Sequence, residues 1–131
     1  MAYAPRILIV EDDASVRRLF EHVLSEDGYY VTSVGTGRHA LLVLRDVAFD
    51  AVIVDMSLPD LDGPEALQAL RELPGSANMP AIAISGMDEH DARHILTKDF
   101  AEYLTKPIDL DVLQSTVARH LGEDRARSVA N

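Results

Sequence analysis

Two apolar runs in this chain end in carboxylates. Arg6-Ile7-Leu8-Ile9-Val10 leads into Glu11-Asp12-Asp13, and Ala51-Val52-Ile53-Val54 leads into Asp55. Buried parallel strands read as continuous apolar runs, and ligands of open α/β sheets sit at the carboxyl ends of such strands. If both runs belong to one sheet, at least three carboxylates crowd one crevice. Like charges at that range raise one another's pKa unless a cation intervenes. Carboxylates with carbonyls and waters make an oxygen site suited to Mg²⁺. Two further apolar runs end in other chemistry. Residues 80–85 finish in Ser85-Gly86, and residues 102–105 are followed by Lys106-Pro107. A hydroxyl and an ammonium facing a metal suit the oxygens of a phosphoryl group, and one carboxylate could be the nucleophile that accepts it.

The elements that must position these residues alternate along the chain. Strands are expected at 7–10, 29–34, 50–55, 80–85 and 102–105, and helices at 14–27, 38–47, from about 64 to 73, 88–98 and 109–122. The first helix carries Val16, Leu19, Phe20, Val23 and Leu24 at i, i+3, i+4, i+7 and i+8, an amphipathic stripe. Gly28 stands where a helix C-terminal glycine belongs, Pro64 suits a first helical turn, Asp109 can cap the last helix, and Gly122 is expected to close it. Five strands alternating with five helices predict a doubly wound α/β fold with helices on both faces. Residues 5–122 form one domain, and 123–131 read as a polar, disordered tail.

Composition narrows the function classes. A hydrophobic content of 47% in 131 residues supports a packed core rather than a disordered chain. The formal charge of −10 disfavours direct binding to a nucleic-acid backbone. There are no cysteines, which excludes disulfides, thiolate metal sites and cysteine catalysis. No apolar stretch is long enough for a membrane span and the N-terminus lacks a signal peptide's apolar core, so a cytoplasmic location with no membrane partner is expected.

Five motifs occur in order: Leu8-Ile9-Val10-Glu11-Asp12-Asp13; Val54-Asp55-Met56-Ser57-Leu58-Pro59 with Gly63; Ser85-Gly86; Tyr103; and Lys106-Pro107. Together they resemble the receiver domain of two-component response regulators, over nearly the whole chain from Ile7 to about Leu121. The resemblance implies a flavodoxin-like three-layer sandwich whose five-stranded parallel sheet has the order 2-1-3-4-5. It implies a phosphorylation-activated switch in a phosphorelay rather than an enzyme, catalysing only its own phosphorylation and dephosphorylation. Asp55 would be the phosphoacceptor. Asp13 would bind Mg²⁺ directly and Asp12 through water, with Asp55 and the carbonyl of Ser57 completing the ligands, and Glu11 would be a flanking charge. Lys106 would pair with the phosphoryl group, Ser85 would bond it, and Tyr103 would turn inward as Ser85 moves. The Lys106-Pro107 peptide would be cis. Ser57 and Met87 flank the site at positions that tune phosphoryl lifetime in the family. The partners implied are a sensor histidine kinase or histidine phosphotransfer protein, and a downstream effector at the face made by the fourth helix, fifth strand and fifth helix. Asp99 departs from the family pattern, where many members have glycine, and the resemblance would place it on that same face.

Other readings of the same residues stay open. Acids after a strand also cap the next helix and suit its dipole. His90 and His94 are an i, i+4 pair that a metal could use, but no third ligand accompanies them; the phosphodonor histidine would be on the partner. A haloacid-dehalogenase-type phosphatase also carries an aspartate after a strand, yet needs a second two residues on, where this chain has Ser57. A flavodoxin-like cofactor protein would need a donor-rich loop where this chain has Glu11-Asp12-Asp13. A degenerate, phosphorylation-independent interaction module would have no need of the acids, Ser85 and Lys106 together.

Overall fold

The computed structural model describes residues 4–61, 63–73, 75–86 and 100–130. Five parallel strands, β1 (Arg6–Val10), β2 (Tyr30–Val34), β3 (Ala51–Asp55), β4 (Ala81–Ser85) and β5 (Glu102–Thr105), form one sheet in the order β2-β1-β3-β4-β5. The helices among the described residues are α1 (Ala14–Glu26), α2 (Gly37–Asp46), α3 (Gly63–Arg71) and α4 (Leu110–Ala130). The helix expected at 88–98 lies outside the described residues, as do Met87, His90, His94 and Asp99.

Alternation along the strands sorts the core into two layers. Ile7, Ile9, Ala51, Ile53, Ile82 and Ile84 pack with Phe20 and Leu24 of α1 and Leu113, Val117 and Leu121 of α4. Leu8, Val10, Val52, Val54, Ala81 and Ala83 pack with Ala40 and Leu44 of α2 and Ala66, Leu67 and Leu70 of α3. β3 and β4 are buried at every position because both their neighbours are strands and both their faces carry helices. β2 is an edge, and its Tyr30 is 65% exposed with the Arg6 guanidinium 5.3 Å over its ring.

The expected stripe of α1 narrows in the structure. Phe20 and Leu24 are buried, whereas Leu19 is 46% exposed. Helix ends follow local chemistry. Gly28 takes φ +96° after α1, and its N–H donates to the Ser25 carbonyl at 3.0 Å. Thr36 Oγ1 accepts the His39 N–H at 3.1 Å at the start of α2. Asp109 Oδ1 accepts the N–H groups of Asp111 and Val112 at 2.8 and 3.3 Å, capping α4 as expected. Gly122 does not end α4, which continues to Ala130. A glycine costs a helix interior only about 1 kcal/mol, and residues 123–130 contain no proline.

Candidate functional site

The strand register brings the chemistry together. Ile9 lies opposite Ile53, so two residues further along each strand Glu11 comes opposite Asp55, on the face covered by α1 and α4. Both carboxylates are buried, with 2% and 1% of their surfaces exposed. Asp12 is exposed beside them. Glu11, Asp12 and Asp55 each offer a carboxylate oxygen, and these lie within 4.8 Å of one another.

Each oxygen of Asp55 has its own donors. Oδ1 accepts the backbone N–H and the hydroxyl of Ser57, both at 2.9 Å. Oδ2 accepts Lys106 Nζ at 2.9 Å. Lys106 follows β5, and its backbone N–H donates to the Ser85 carbonyl at 2.7 Å; the Lys106-Pro107 bond is cis. Glu11 Oε1 accepts the Asp13 N–H at 3.2 Å. Glu11 Oε2 is buried without a hydrogen-bond partner among the described residues, and Lys106 Nζ stands 4.0 Å from it.

The two buried acids titrate in opposite directions. Burial pushes the Glu11 carboxyl up, contact with Asp55 and its charge add to this, and the Asp13 N–H and Lys106 oppose it; the result is about 8. Burial also pushes Asp55 up, but contacts with Glu11, Lys106 and Ser57 outweigh it and hold the carboxyl down at about 2. Lys106 loses some charge stabilisation through burial, and the hydrogen bond and charge of Asp55 more than restore it, with help from Glu11 and Asp12. At neutral pH the site therefore contains an ionised Asp55, a charged Lys106 and a Glu11 that holds a proton. A divalent cation fits this donor set: three carboxylate oxygens already converge, and Glu11 Oε2 is buried with no hydrogen-bond partner among the described residues.

Asp13 takes a different place from the one expected. Its Oδ1 accepts the N–H groups of Ser15 and Val16 at 2.8 and 3.1 Å, so its carboxylate caps α1. The converging pair is Glu11 and Asp12 instead of Asp12 and Asp13. The shift has a simple cause. Glu11 keeps the face of Ile7 and Ile9, while Asp13 immediately precedes a helix whose first N–H groups need an acceptor. Replacing Asp13 by alanine is therefore expected to lower stability by about 1 kcal/mol. Mg²⁺ affinity should stay unchanged, a pairing that denaturation and calorimetric titration of the same variant will check.

Ser85 and Tyr103 lie on the other side of the sheet. Ser85 ends β4, is 2% exposed and continues the face of Ala81 and Ala83. Tyr103 pairs with Ala83 in the β4–β5 register and packs against the same layer. Its hydroxyl is buried with no hydrogen-bond partner among the described residues.

Sequence reasoning did not single out Asp60, which anchors the loop after Asp55. Its Oδ1 and Oδ2 accept the N–H groups of Gly37 and Arg38, each at 2.9 Å. Burial raises its pKa slightly, but those two donors and the Arg38 charge outweigh that and hold it below the usual carboxylate range. Leu61 lies over Gly37 so closely that a Cβ there would meet its side chain at 2.9 Å. An acid three residues before the Gly63-Pro64 start of α3 gives no sequence signal of such a long-range cap.

The parallel sheet in the order β2-β1-β3-β4-β5, with an acidic, lysine-capped cleft at its strand ends, is a flavodoxin-like fold. The chain belongs to the response regulator receiver domain family, which matches residues 7–118. A 14.6 kDa protein of Leptolyngbya boryana is 36% identical over 104 residues, covering 79% of each chain. Sensor protein GacS of Pseudomonas syringae is 31% identical over 91% of this chain, and regulatory protein AtoC of Escherichia coli 33% identical over 88%. The chain spans only 14% and 25% of those two proteins. Among solved structures, the receiver domain of a sensor histidine kinase from Pseudomonas aeruginosa superposes with a TM-score of 0.83 at 30% identity. It covers 92% of this chain and 99% of its own, and has a magnesium ion coordinated in its active site cleft. Chemotaxis response regulator CheY4 of Vibrio cholerae gives 0.84 at 26% identity, covering 91% of this chain and all of its own. Among the described residues no helix is long and apolar enough to cross a membrane.

Proposed function

We propose that this receiver domain is a phosphorylation-activated switch whose phosphoacceptor is Asp55. The observation that carries the reading is the state of Asp55: buried, held ionised, and oriented through both oxygens by Ser57 and Lys106. An ionised carboxylate is the form that can attack phosphorus. In that step a new bond forms between an Asp55 oxygen and the phosphorus of a partner's phosphohistidine. The nitrogen–phosphorus bond breaks, and the leaving imidazole takes up a proton. Asp55 becomes an acyl phosphate, which water later cleaves. Lys106 neutralises the charge that the phosphoryl oxygens bring, and Ser85 supplies a hydroxyl at the neighbouring strand end. Glu11, Asp12 and Asp55, with the carbonyl of Ser57, would hold a Mg²⁺ ion, which would offset the negative charge gathered around the transferred group. The magnesium in the cleft of the Pseudomonas aeruginosa relative supports that choice of ion.

The partners we propose are a histidine kinase or histidine phosphotransfer protein as donor. A downstream protein would read the phosphorylated state as a shifted equilibrium between two conformations, on the face that includes β5 and α4. Tyr103, whose buried hydroxyl has no hydrogen-bond partner among the described residues, packs against the Ser85 layer and is the residue we assign to relay the change.

Incubation with Mg²⁺ and beryllofluoride tests the reading without requiring a cognate kinase. The expected result is binding that needs both Mg²⁺ and fluoride, seen as displaced amide resonances of Asp55 to Ser57 and of Ser85. Binding that persists in excess chelator, or none at all, would sink the proposal.

A further inference from the structure

Glu11 and Asp12 are consecutive residues, and both must present a carboxylate to the same point as Asp55. Within the segment, Glu11 Oε1 accepts the Asp13 N–H at 3.2 Å. The backbone groups of Glu11 and Asp12 themselves are held from outside it. The Glu11 N–H donates to the Val34 carbonyl at 3.0 Å, tying the segment to the end of β2. Arg17, the fourth residue of α1, donates from Nη1 to the Glu11 carbonyl at 2.7 Å and to the Asp12 carbonyl at 3.1 Å. A guanidinium keeps its charge at all working pH values, and charge-assisted bonds are the stronger kind. Gly35, just after β2, makes room for it: a Cβ there would stand 2.9 Å from Arg17 Nη1 and 3.6 Å from Cζ.

We infer that Arg17, seated against Gly35, is a positioning residue that fixes the Glu11–Asp12 backbone in the geometry a divalent cation requires. The inference rests on the cation site proposed above. Mg²⁺ tolerates little departure from octahedral coordination, so a ligand loop free to drift by a fraction of an ångström binds it poorly. Residues that orient metal ligands from behind typically change affinity by about 10- to 100-fold when removed. The sign of the effect is informative. A guanidinium acting only as a nearby positive charge would repel the cation, and its loss would tighten binding. A guanidinium acting through the backbone does the opposite.

Calorimetric titration of the whole chain with Mg²⁺ tests this. Arg17→Ala should weaken binding by about tenfold or more, with Arg17→Lys recovering part of the loss. Gly35→Ala keeps the charge but displaces the guanidinium, so it should also weaken binding. In the Arg17→Ala background it should have almost no further effect, because both changes act through one contact. Equal or tighter Mg²⁺ binding by Arg17→Ala overturns the inference, as does a Gly35→Ala effect of the same size in both backgrounds. If Arg17→Ala does not fold, an unchanged dissociation constant for Gly35→Ala overturns it alone. A wild-type chain that binds no Mg²⁺ overturns the cation reading itself, a result distinct from all of these.

Discussion

Asp55→Asn is expected to reduce phosphoryl labelling by acetyl phosphate and Mg²⁺ to background while leaving the fold intact. The amide matches the carboxylate in shape and can still accept from Ser57, so the end of β3 keeps its local bonds. It lacks the negative charge needed to attack phosphorus, and no other described carboxylate has the same combination of burial, ionisation and contact with Lys106. Glu11 should respond as well. Contact with Asp55 and its charge are two of the causes that raise its pKa, so the variant's Glu11 should titrate closer to the usual carboxylate range. Intact-mass analysis after acetyl phosphate treatment reads the first effect, and side-chain carboxyl NMR reads the second. A labelled Asp55→Asn protein would falsify the assignment of the phosphoacceptor.

The second large effect is a pH dependence centred on Glu11. Metal-free, Glu11 holds its proton up to about pH 8, whereas Mg²⁺ needs the ionised form. Binding must release that proton, so the apparent dissociation constant should rise about tenfold for each pH unit below about 8. Stability of the metal-free chain runs the other way. Glu11 has a folded pKa above its ordinary value of 4.5, so its protonated form is the one that folding favours. That contribution is complete below pH 4.5 and is lost as pH rises to about 8. At about 1.4 kcal/mol per pKa unit the loss amounts to roughly 2–5 kcal/mol. Saturating Mg²⁺ should restore stability at the alkaline end, because the bound state uses the ionised carboxylate. Glu11→Gln should flatten the metal-free profile, weaken Mg²⁺ binding and remove its pH dependence across this window. Urea titrations at pH 5 and pH 8, with and without Mg²⁺, measure all three. A wild-type profile that stays flat between those pH values would contradict the placement of the proton on Glu11.

The parts of the molecule governed by periodicity were legible in the sequence. The continuous apolar runs of β1, β3 and β4 could only be strands covered on both faces. The motif order placed Asp55, Ser85 and Lys106 at neighbouring strand ends. The parts that depend on which of several adjacent residues faces inward were harder. Three acids follow Val10, and the family resemblance favoured the second and third, whereas the structure joins the first and second to Asp55. The information was present in two places. A helix beginning at Ala14 makes Asp13 its cap position, and strand alternation carries the face of Ile7 and Ile9 on to Glu11. Gly122 misled in the other direction, since a glycine marks a helix end only when the chain beyond it turns away. Arg17, Gly35 and Asp60 were illegible because no local pattern names their contacts: Arg17 and Asp60 bond backbone groups outside their own turn or helix, and Gly35 only leaves room for the Arg17 guanidinium.

The in-register ladder has a consequence for how this chain can change over generations. Ile9 faces Ile53, Asp55 faces Ile84, and Ser85 faces Thr105, so each reactive group is placed by counting residues from its neighbour. Adding or deleting one residue inside β1, β3 or β4 would turn the terminal side chain to the opposite face of the sheet. Substitutions can be absorbed one at a time at most positions in these strands, but a change of length cannot. Length variation among descendants of this chain should therefore collect in the connections at the far end of the sheet, such as 75–80, and be purged from the strands that lead to Glu11, Asp55 and Ser85.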